Sequence, residues 1–267
     1  ATRVICQADF TSFGAQSNDW LGWKVTGLGD LDGDGCDEAA ASAPLVDGRV
    51  NNQGEIRVVF GWGGPGCPDA PRMVALRSGF RNAQGGRGLG GGTDVNGDGV
   101  PDLAVGLPFF SNGETVGAAG IVDGARLRDL PKEAPSSTPR TFHPFFSGAD
   151  AFIVGTVPGE EFGMSVAVVD WADGTAGLAV GSPLGDLGGV VGSGGVRVFE
   201  YNAGAGSLSS TPWAVFGGSN DRPGSRAGGW VQSIRVGDRT YLGVGAEWAS
   251  AGTIENGAFF PFDISRP

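Results

Sequence analysis

The feature that most constrains the fold is an acidic, glycine-containing loop at residues 94–102. Its first, third, fifth and ninth positions are the oxygen-bearing residues Asp94, Asn96, Asp98 and Asp102. With a glycine at the sixth position to permit a sharp turn, this spacing lets oxygen atoms surround a hard cation such as Ca²⁺. An EF-hand is excluded, because its twelfth position needs a glutamate and here holds Val105, within the strand-like run 103–107. The sequence therefore predicts a calcium loop between two strands.

The same loop occurs earlier, at residues 30–38, and a proline follows fourteen residues after the first aspartate in both copies, at Pro44 and Pro108. Two copies in one register indicate a repeat. Clustered carboxylates repel one another, so two such loops without a cation would destabilise the chain. We therefore expect two structural calcium ions. The ligands predicted for the first are Asp30, Asp32, Asp34, Glu38 and the carbonyl of Cys36, and those for the second are Asp94, Asn96, Asp98, Asp102 and the carbonyl of Val100.

Two degenerate copies extend the repeat, as apolar runs at residues 178–183 and 242–247. The positions that close the four copies, 44, 108, 183 and 247, are 64, 75 and 64 residues apart. Such a period suits a four-stranded propeller blade with long loops. The acidic loop has lost its spacing in the later copies, at residues 170–174 and 236–240, and no metal is expected at either.

Each period contains short strands in the same order, with the alternating apolar pattern of half-buried strands. The first strands are predicted at residues 21–26, 88–93, 162–168 and 228–234, and the third strands at 54–60, 117–123, 195–201 and 257–262. The second strands are the apolar runs that end at the four closing positions. Weaker fourth strands are predicted at 72–76, 140–146 and 211–216.

The last period ends without a fourth strand, and the N-terminal segment 3–10 resembles residues 72–80 in residue type and in its distance before the next first strand. This segment can complete the last blade and close the ring, which removes an open sheet edge. The prediction is an all-β, single-domain β-propeller over residues 1–267, with four blades of four antiparallel strands. The seven tryptophans are expected mostly to pack between blades. An eight-bladed ring made by two chains stays open as an alternative.

Charge and composition exclude several functions. The formal net charge is −11 and the basic residues are scattered, so the basic patch of a nucleic-acid-binding protein is missing. No apolar run approaches the roughly 20 residues of a membrane span. The start at Ala1 shows no signal region, so a leader was either removed or never present. Calcium sites and oxidised cysteines both point to a secreted or cell-surface protein.

Short motifs carry a family resemblance. Phe162-Gly163 begins one first strand, and tripeptides of mostly small residues ending in proline close three second strands: Ser42-Ala43-Pro44, Gly106-Leu107-Pro108 and Gly181-Ser182-Pro183. Together with the acidic loops, these elements resemble FG-GAP repeats, the units of the integrin alpha-subunit propeller, over essentially the whole chain. The first copy departs from the pattern with Leu21-Gly22, the second has no clear Phe-Gly, and the fourth ends in Gly-Ala-Glu.

The resemblance implies protein recognition or adhesion, with the calcium loops opposite the face that binds partners. Integrin propellers have seven blades, so the count of four rests on this sequence alone. A monomer is expected, and a dimer stays open. Some side chains of the partner face are long enough, and aromatic or charged, to contact a ligand. They are Phe109, Phe110, Arg49, Arg222 and Trp248. The main alternative is a carbohydrate-binding lectin, because propellers with such repeats can bind sugars between blades.

Three cysteines leave at least one unpaired within the chain. Cys36 lies in a first-to-second-strand loop and Cys67 in the third-to-fourth connection of the same blade, and up-and-down strands place both at one end. A Cys36–Cys67 disulfide and two buried thiols are both compatible with this placement. Cys6 lies on the closing strand and is expected to be a small core residue.

Catalysis has little support in the sequence. His143, the single histidine, lies between Phe142 and Pro144 without a serine or cysteine elbow, so a structural role is expected. Glu160 and Glu161 are explained by solvation. A propeller hydrolase, the third reading, would need converging carboxylates or an open metal site on the axis. The predicted function is therefore a calcium-binding recognition or scaffold module that is not an enzyme.

Overall fold

The computed structural model describes residues 11–62, 66–136, 138–146, 150–217, 224–249 and 257–266. Within these ranges the regular secondary structure is almost entirely β-strand, and the helices are α1 (Gly124–Asp129) and a 3-10 turn at Leu187–Gly189. Neither helix is long and apolar enough to cross a membrane. This content agrees with the all-β class predicted from the sequence.

The strands of the described residues form four sheets, and one sheet corresponds to each predicted period. The first contains β1 (Val25–Gly29), β2 (Glu38–Ala43), β3 (Glu55–Phe60) and β4 (Arg72–Arg77). The second contains β5 (Gly88–Thr93), β6 (Asp102–Leu107), β7 (Ala118–Val122) and β9 (Ala151–Val154). The third contains β10 (Ser165–Asp170), β11 (Ala176–Gly181), β12 (Gly195–Asn202) and β14 (Ala214–Gly217), and β13 (Ser207–Leu208) pairs with the end of β12. The fourth contains β15 (Ala227–Val236), β16 (Arg239–Ala246) and β17 (Ala258–Asp263), and the neighbours in all these lists pair antiparallel.

The fourth strand of the second sheet differs from the prediction. The strand expected at 140–146 is reduced to β8 (His143–Pro144), which pairs in parallel with β4 of the first sheet. Its expected place beside β7 is taken by β9, in a segment where no strand was predicted. Pro144 has no N–H group to donate to a sheet, whereas β9 reads Ala-Phe-Ile-Val, and aromatic and β-branched residues favour strands.

Two further predictions concern the first strand of the first sheet and the N-terminal closing strand. The strand predicted at 21–26 begins only at Val25, because a turn precedes it in which the N–H of Trp23 donates to the carbonyl of Trp20 (3.0 Å). The predicted closing strand, residues 3–10, lies outside the described residues. The fourth sheet has three strands in the described part of the chain, so ring closure and the count of four blades stay predictions.

Three hydrophobic clusters lie between successive sheets. One cluster includes Ile56 of the first sheet and Leu103 of the second, and two more clusters join the second to the third sheet and the third to the fourth. Alternation along a strand lets one sheet contribute to two clusters: in β10, Val166 belongs to the second cluster and Ala167 to the third. The first strands lie side by side, with β5 between β1 and β10, and β10 beside β15. The sheets therefore stack in chain order around their first strands.

Glycine brings neighbouring sheets into backbone contact. A Cβ atom on Gly106, in β6, would lie less than 3.0 Å from the carbonyl oxygen of Gly163, which precedes β10. Gly181 and Gly228 make the same contact between the third and fourth sheets. Gly163 and Gly228 also have positive φ angles of 96° and 88°, in the left-handed region that favours glycine. Side chains at these positions would force the sheets apart.

Gly106→Ala should lower the free energy of unfolding by about 1–3 kcal/mol, because the added methyl group overpacks a backbone contact. Gly27→Ala is a matched control, since Gly27 is also within a strand but a Cβ atom there would meet nothing within 4 Å. The control should be neutral or raise stability by up to about 1 kcal/mol. Urea unfolding of both variants checks this, and equal stabilities would show that the sheets are not held at backbone contact.

Candidate calcium loops and the opposite face

The first acidic loop gathers three carboxylates. Oxygen atoms of Asp30, Asp32 and Glu38 lie within 4.8 Å of one another. The carboxylate of Asp30 accepts hydrogen bonds from the N–H groups of Gly33 (2.7 Å) and Gly35 (3.0 Å), which fold the loop around it. Among the described residues this is the one group of at least three Asp, Glu, His or Cys side chains that converge so closely. Oxygen ligands at this separation suit a divalent cation.

One oxygen atom of this cluster has no partner in the described part of the chain. Oδ1 of Asp32 is buried without a hydrogen bond, while Nζ of Lys132 lies 3.8 Å from Oδ2 of the same carboxylate. Glu38 is held more firmly, since its two oxygens accept backbone N–H groups at 2.5 and 3.0 Å. Burial raises the pKa of Glu38, and the nearby carboxylates of Asp32 and Asp34 raise it further, against the lowering effect of those two donors. A bound cation would offset both the burial and the repulsion.

The second loop repeats the backbone arrangement with fewer charges. Asp94 accepts hydrogen bonds from N–H groups of the loop at 2.7 to 3.2 Å, as Asp30 does in the first loop. Asp102 accepts three backbone N–H groups, one of them from Gly124 at the start of α1 (2.7 Å). Burial still raises the pKa of Asp102 to about 7, and these donors only partly oppose the effect. Asn96 takes the place that an aspartate holds in the first loop.

Only some of the predicted calcium ligands lie close together in the structure. It brings together Asp30, Asp32 and Glu38, whereas the carboxylate of Asp34 accepts the N–H of Cys36 (2.9 Å). In the second loop Asp98 likewise accepts the N–H of Val100 (2.9 Å). Both ligand sets therefore stay predictions.

A disulfide joins Cys36 to Cys67, with Cα atoms 5.9 Å apart. Of the two possibilities left open by the sequence, the disulfide is confirmed. It ties the first acidic loop to the connection between β3 and β4, because Cys36 is the seventh residue of that loop. Cys6 lies outside the described residues.

Cys67→Ser should lower the free energy of unfolding by about 3–4 kcal/mol, because the disulfide closes a loop with a sequence separation of 31 and so restricts the unfolded chain. Chemical denaturation measures this loss. The double variant Cys36→Ser/Cys67→Ser should lose no more than the single variant, since the bond is already absent. Reduction of the unmutated chain should give the same loss, and full stability after complete reduction would contradict the prediction.

A pocket of about 350 Å³ lies at the other end of the first strands. Its walls include Lys24 directly before β1, Glu161 in the turn that precedes β10, and Trp230 near the start of β15. The first acidic loop follows the far end of β1, and the extended chain from Lys24 to Asp30 spans about 20 Å. The pocket and the acidic loops therefore lie at opposite ends of the stack.

The expectation that tryptophans mostly pack between sheets is wrong. Trp171 is fully buried, and its Nε1–H donates to the carbonyl of Ile264 (2.8 Å). Four tryptophans gather on the side of the pocket and are 39 to 53% exposed: Trp20, Trp23, Trp230 and Trp248. The reason is steric, because interfaces in which glycine backbones touch leave no room for an indole ring.

The residues predicted for the partner face have different environments. Phe110 is a core residue, 8% exposed, with edge contacts to two other phenylalanines, so its prediction as a partner residue is wrong. Phe109 lines the pocket, and the ring of Trp248 lies beside the guanidinium of Arg226 (4.6 Å). Arg49 lines a separate cavity near His143. Arg222 lies outside the described residues.

Two candidates for acid-base chemistry have structural surroundings. His143 lies in β8, its Nε2 is buried without a hydrogen bond among the described residues, and burial lowers its pKa. Glu160 is buried and forms an ion pair with Arg197 (2.7 Å), so the explanation by solvation is wrong for it. Glu161 is half-buried in the pocket wall.

Comparison with known proteins finds one matching repeat and two similar proteins. The family model described as FG-GAP repeat matches residues 21–59. Residues 21–59 therefore match an FG-GAP repeat, and a larger part of the chain is similar to integrin alpha subunits. It is 30% identical to integrin alpha-PS5 of Drosophila melanogaster over 173 residues, 64% of this chain and 16% of that protein. It is 32% identical to integrin alpha-PS2 of the same organism over 129 residues, 46% of this chain and 9% of that protein. The matched part is thus a small fraction of each relative.

The structure locates the turn of each FG-GAP repeat even where the Phe-Gly letters are absent. In every repeat a residue other than glycine has a positive φ two positions before the motif glycine: Trp20 (60°), Gln84 (50°), Glu161 (57°) and Arg226 (54°). In the first three repeats the carbonyl of this residue accepts the N–H three residues later, at 3.0 to 3.2 Å. Sequence reasoning missed these positions, because their residue types differ completely. Their one common signal is the distance to the following glycine.

Proposed function

We propose that this chain is a calcium-stabilised, integrin-alpha-like β-propeller that recognises a protein or glycan outside the cell and catalyses nothing. The observation that carries the proposal is the group of four half-exposed tryptophans at the end opposite the acidic loops. Exposed aromatic groups gathered on one face are typical of interaction sites, whereas scattered ones are ordinary. The similarity to two integrin alpha subunits favours recognition over catalysis.

A four-bladed ring is the architecture that we propose around this face. Three clusters join the four sheets in succession, and the ammonium group of Lys24, from the first sheet, lies 3.1 Å from the ring centroid of Trp230, from the fourth. The first and fourth sheets therefore approach each other at the pocket end. Sedimentation analysis distinguishes a closed monomer from an eight-bladed ring of two chains.

Calcium binding is part of the same proposal. The support is chemical: three converging carboxylates, one buried oxygen without a partner, and raised pKa values of Glu38 and Asp102 in the absence of a cation. Each ion would be held by one acidic loop and would fix the connection between a first and a second strand. A structural role fits better than a catalytic one, because the pocket lies at the other end of the strands.

Asp30→Asn should weaken one calcium site by on the order of tenfold or more, because it removes a charged ligand from the centre of the loop. Isothermal titration calorimetry should then show one unchanged and one weakened site, and Asp94→Asn should weaken the other site in the same way. Asp37→Asn is the matched control, since Asp37 is exposed in the same loop and has no place among the predicted ligands.

Calcium at about 100 times its dissociation constant should stabilise the unmutated chain by about 2.7 kcal/mol, and EDTA should abolish this gain. Equal unfolding curves in calcium and EDTA would contradict the calcium part of the proposal.

An extracellular location is proposed from the disulfide together with the calcium loops. Structural disulfides persist in oxidising compartments and are rare in the cytosol. The Cys36–Cys67 bond lies in one of the loops assigned to calcium, so both features would act on the same part of the first repeat. Expression in an oxidising compartment should therefore yield the bonded form without added oxidant.

Recognition is tested by binding the purified chain, in calcium, to an array of extracellular-matrix proteins and glycans. Trp230→Ala should weaken the main interaction by at least about 2 kcal/mol, the usual effect of truncating a central aromatic contact. Trp213→Ala is the matched control, because Trp213 is 41% exposed and lies against Trp171 at the end of the acidic loops. Equal loss in both variants would place the binding face elsewhere, and no saturable binding to any array member would contradict recognition.

A further inference from the structure

The pocket at the tryptophan-bearing end is assembled from equivalent positions of different repeats. Glu161 and Arg226 are the residues with positive φ that precede the motif glycines of the third and fourth repeats. Lys24 and Trp230 are the second residues after the motif glycines of the first and fourth repeats. Arg87 is the first residue after the motif glycine of the second. Each of the four repeats therefore contributes a charged or aromatic side chain to one cavity.

The backbone conformation at these positions gives an independent indication of function. A left-handed conformation strains any residue with a Cβ atom, and glycine adopts it without that cost. Yet the four repeats carry tryptophan, glutamine, glutamate and arginine there, all large or polar. Strained residues of this kind are concentrated at functional sites. Three of these four residues lie in or beside the pocket: Glu161 and Arg226 line it, and Trp20 stacks on the pocket residue Trp23 (5.3 Å).

Cations in the pocket are held against tryptophan rings. The Lys24 ammonium lies 3.1 Å from the ring centroid of Trp230, and the Arg87 guanidinium lies 4.5 Å from that of Trp23. Aromatic faces attract cations and hold them in place without neutralising their charge. Within the described residues no carboxylate lies within 4.0 Å of the Lys24 ammonium. Among the residues that the structure describes, Lys24 is therefore a positioned cation without an ion-pair partner.

The electrostatics of the walls favour an anion that also carries hydroxyl groups. Burial lowers the pKa of Lys24 to about 8 and also lowers the pKa of Arg87. An anionic ligand would compensate the charged forms for the solvation that burial removes. Burial raises the pKa of Glu161, and Glu247 raises it further, against the lowering effect of Arg226 and Arg87. These two carboxylates would accept hydrogen bonds from hydroxyl groups. Three cations against two carboxylates leave a single excess positive charge.

We propose that this pocket binds the carboxylate of a uronic acid residue in an acidic glycan, with the Lys24 ammonium as the main anchor and the tryptophans as stacking surfaces for the sugar rings. The proposal rests on the proposed recognition function of this face and names its ligand class. Tryptophan faces are electron-rich and meet the C–H groups of a sugar ring favourably. A cation-to-carboxylate hydrogen bond adds orientation and strength. The volume, about 350 Å³, lies in the range of small-ligand sites.

An acidic peptide is the weaker ligand on these observations. Its carboxylates would also meet Lys24, but Glu161 and Glu247 would repel neighbouring acidic side chains, whereas sugar hydroxyl groups would donate to them. An acidic peptide should therefore compete only weakly with an acidic sugar for the pocket.

The test compares three probes that share one ring: D-glucuronate, its methyl ester and D-glucose. Isothermal titration calorimetry, with tryptophan fluorescence as a second readout, should give glucuronate an affinity at least about tenfold above those of the neutral probes, because a charge-assisted hydrogen bond is worth that much. Lys24→Met keeps the length of the side chain and should reduce the affinities to one common value. Trp230→Ala should weaken all three probes.

The controls separate folding from recognition. Arg239→Met removes an exposed cation that pairs with Asp263 outside the pocket, and it should leave glucuronate binding unchanged. Lys24→Met should retain the thermal stability and the calcium binding of the unmutated chain. If it fails to fold, Arg87→Gln replaces it, with the same expected loss of preference for the charged probe.

Each remaining result is decisive. Equal affinities for glucuronate and glucose, or glucuronate binding unchanged by Lys24→Met, would overturn the proposal. Displacement of a labelled uronic acid oligosaccharide by an aspartate-rich peptide at equal concentration would overturn the choice of a sugar. If no sugar probe binds while an array protein still binds through Trp230, this inference fails and the recognition function stands. If glucuronate binds as expected but the chain retains no matrix protein or glycan polymer, the recognition function fails and the pocket stands.

Discussion

Backbone-to-backbone contact between sheets is the constraint on which the rest of the structure depends. Two interfaces bring glycine backbones together, Gly163 with Gly106 and Gly228 with Gly181, and at a third interface Gly86 lies against the side chain of Ser42. The first member of each pair is the glycine of the Phe-Gly position, and the second is the first residue of the tripeptide that closes a second strand. The two halves of the FG-GAP motif are thus the two sides of one contact between consecutive repeats. Because this contact is so close, first strands can pack side by side, and bulky side chains are displaced to the two ends of the stack.

Much of this organisation could be predicted from the sequence, because the repeat is defined by spacing. The equal distance from the first aspartate to Pro44 and Pro108 located two second strands and the loops before them, and strands β2 and β6 are found there. The fourth strand of the second sheet could not be placed, since it lies in a long insertion where only pairing with β7 selects β9. Local composition favoured residues 140–146, but a strand with a central proline needs an edge, and tertiary contacts moved it to the edge of another sheet.

The pocket was harder to predict than the acidic loops, for a physical reason. A calcium loop is contiguous, so its chemistry is visible in one stretch of nine residues. The pocket is built from single residues of four repeats, and each is an ordinary tryptophan, lysine, arginine or glutamate when met alone. Tryptophans such as Trp23 looked like packing residues because large aromatic side chains are usually buried. The close approach of glycine backbones reverses that expectation here.

The two ends of the first strands therefore have opposite local charge, within a chain of net charge −11. At one end carboxylates converge, and a bound cation would relieve their repulsion. At the other end cations stacked on indole rings outnumber the carboxylates by one. The same short strand, β1, fixes both ends: Lys24 comes directly before it and Asp30 directly after it. About 20 Å of paired strand separates the acidic loop from the cation at the pocket. The proposed metal site and the proposed ligand pocket therefore lie at the two ends of one strand, with no direct contact between them.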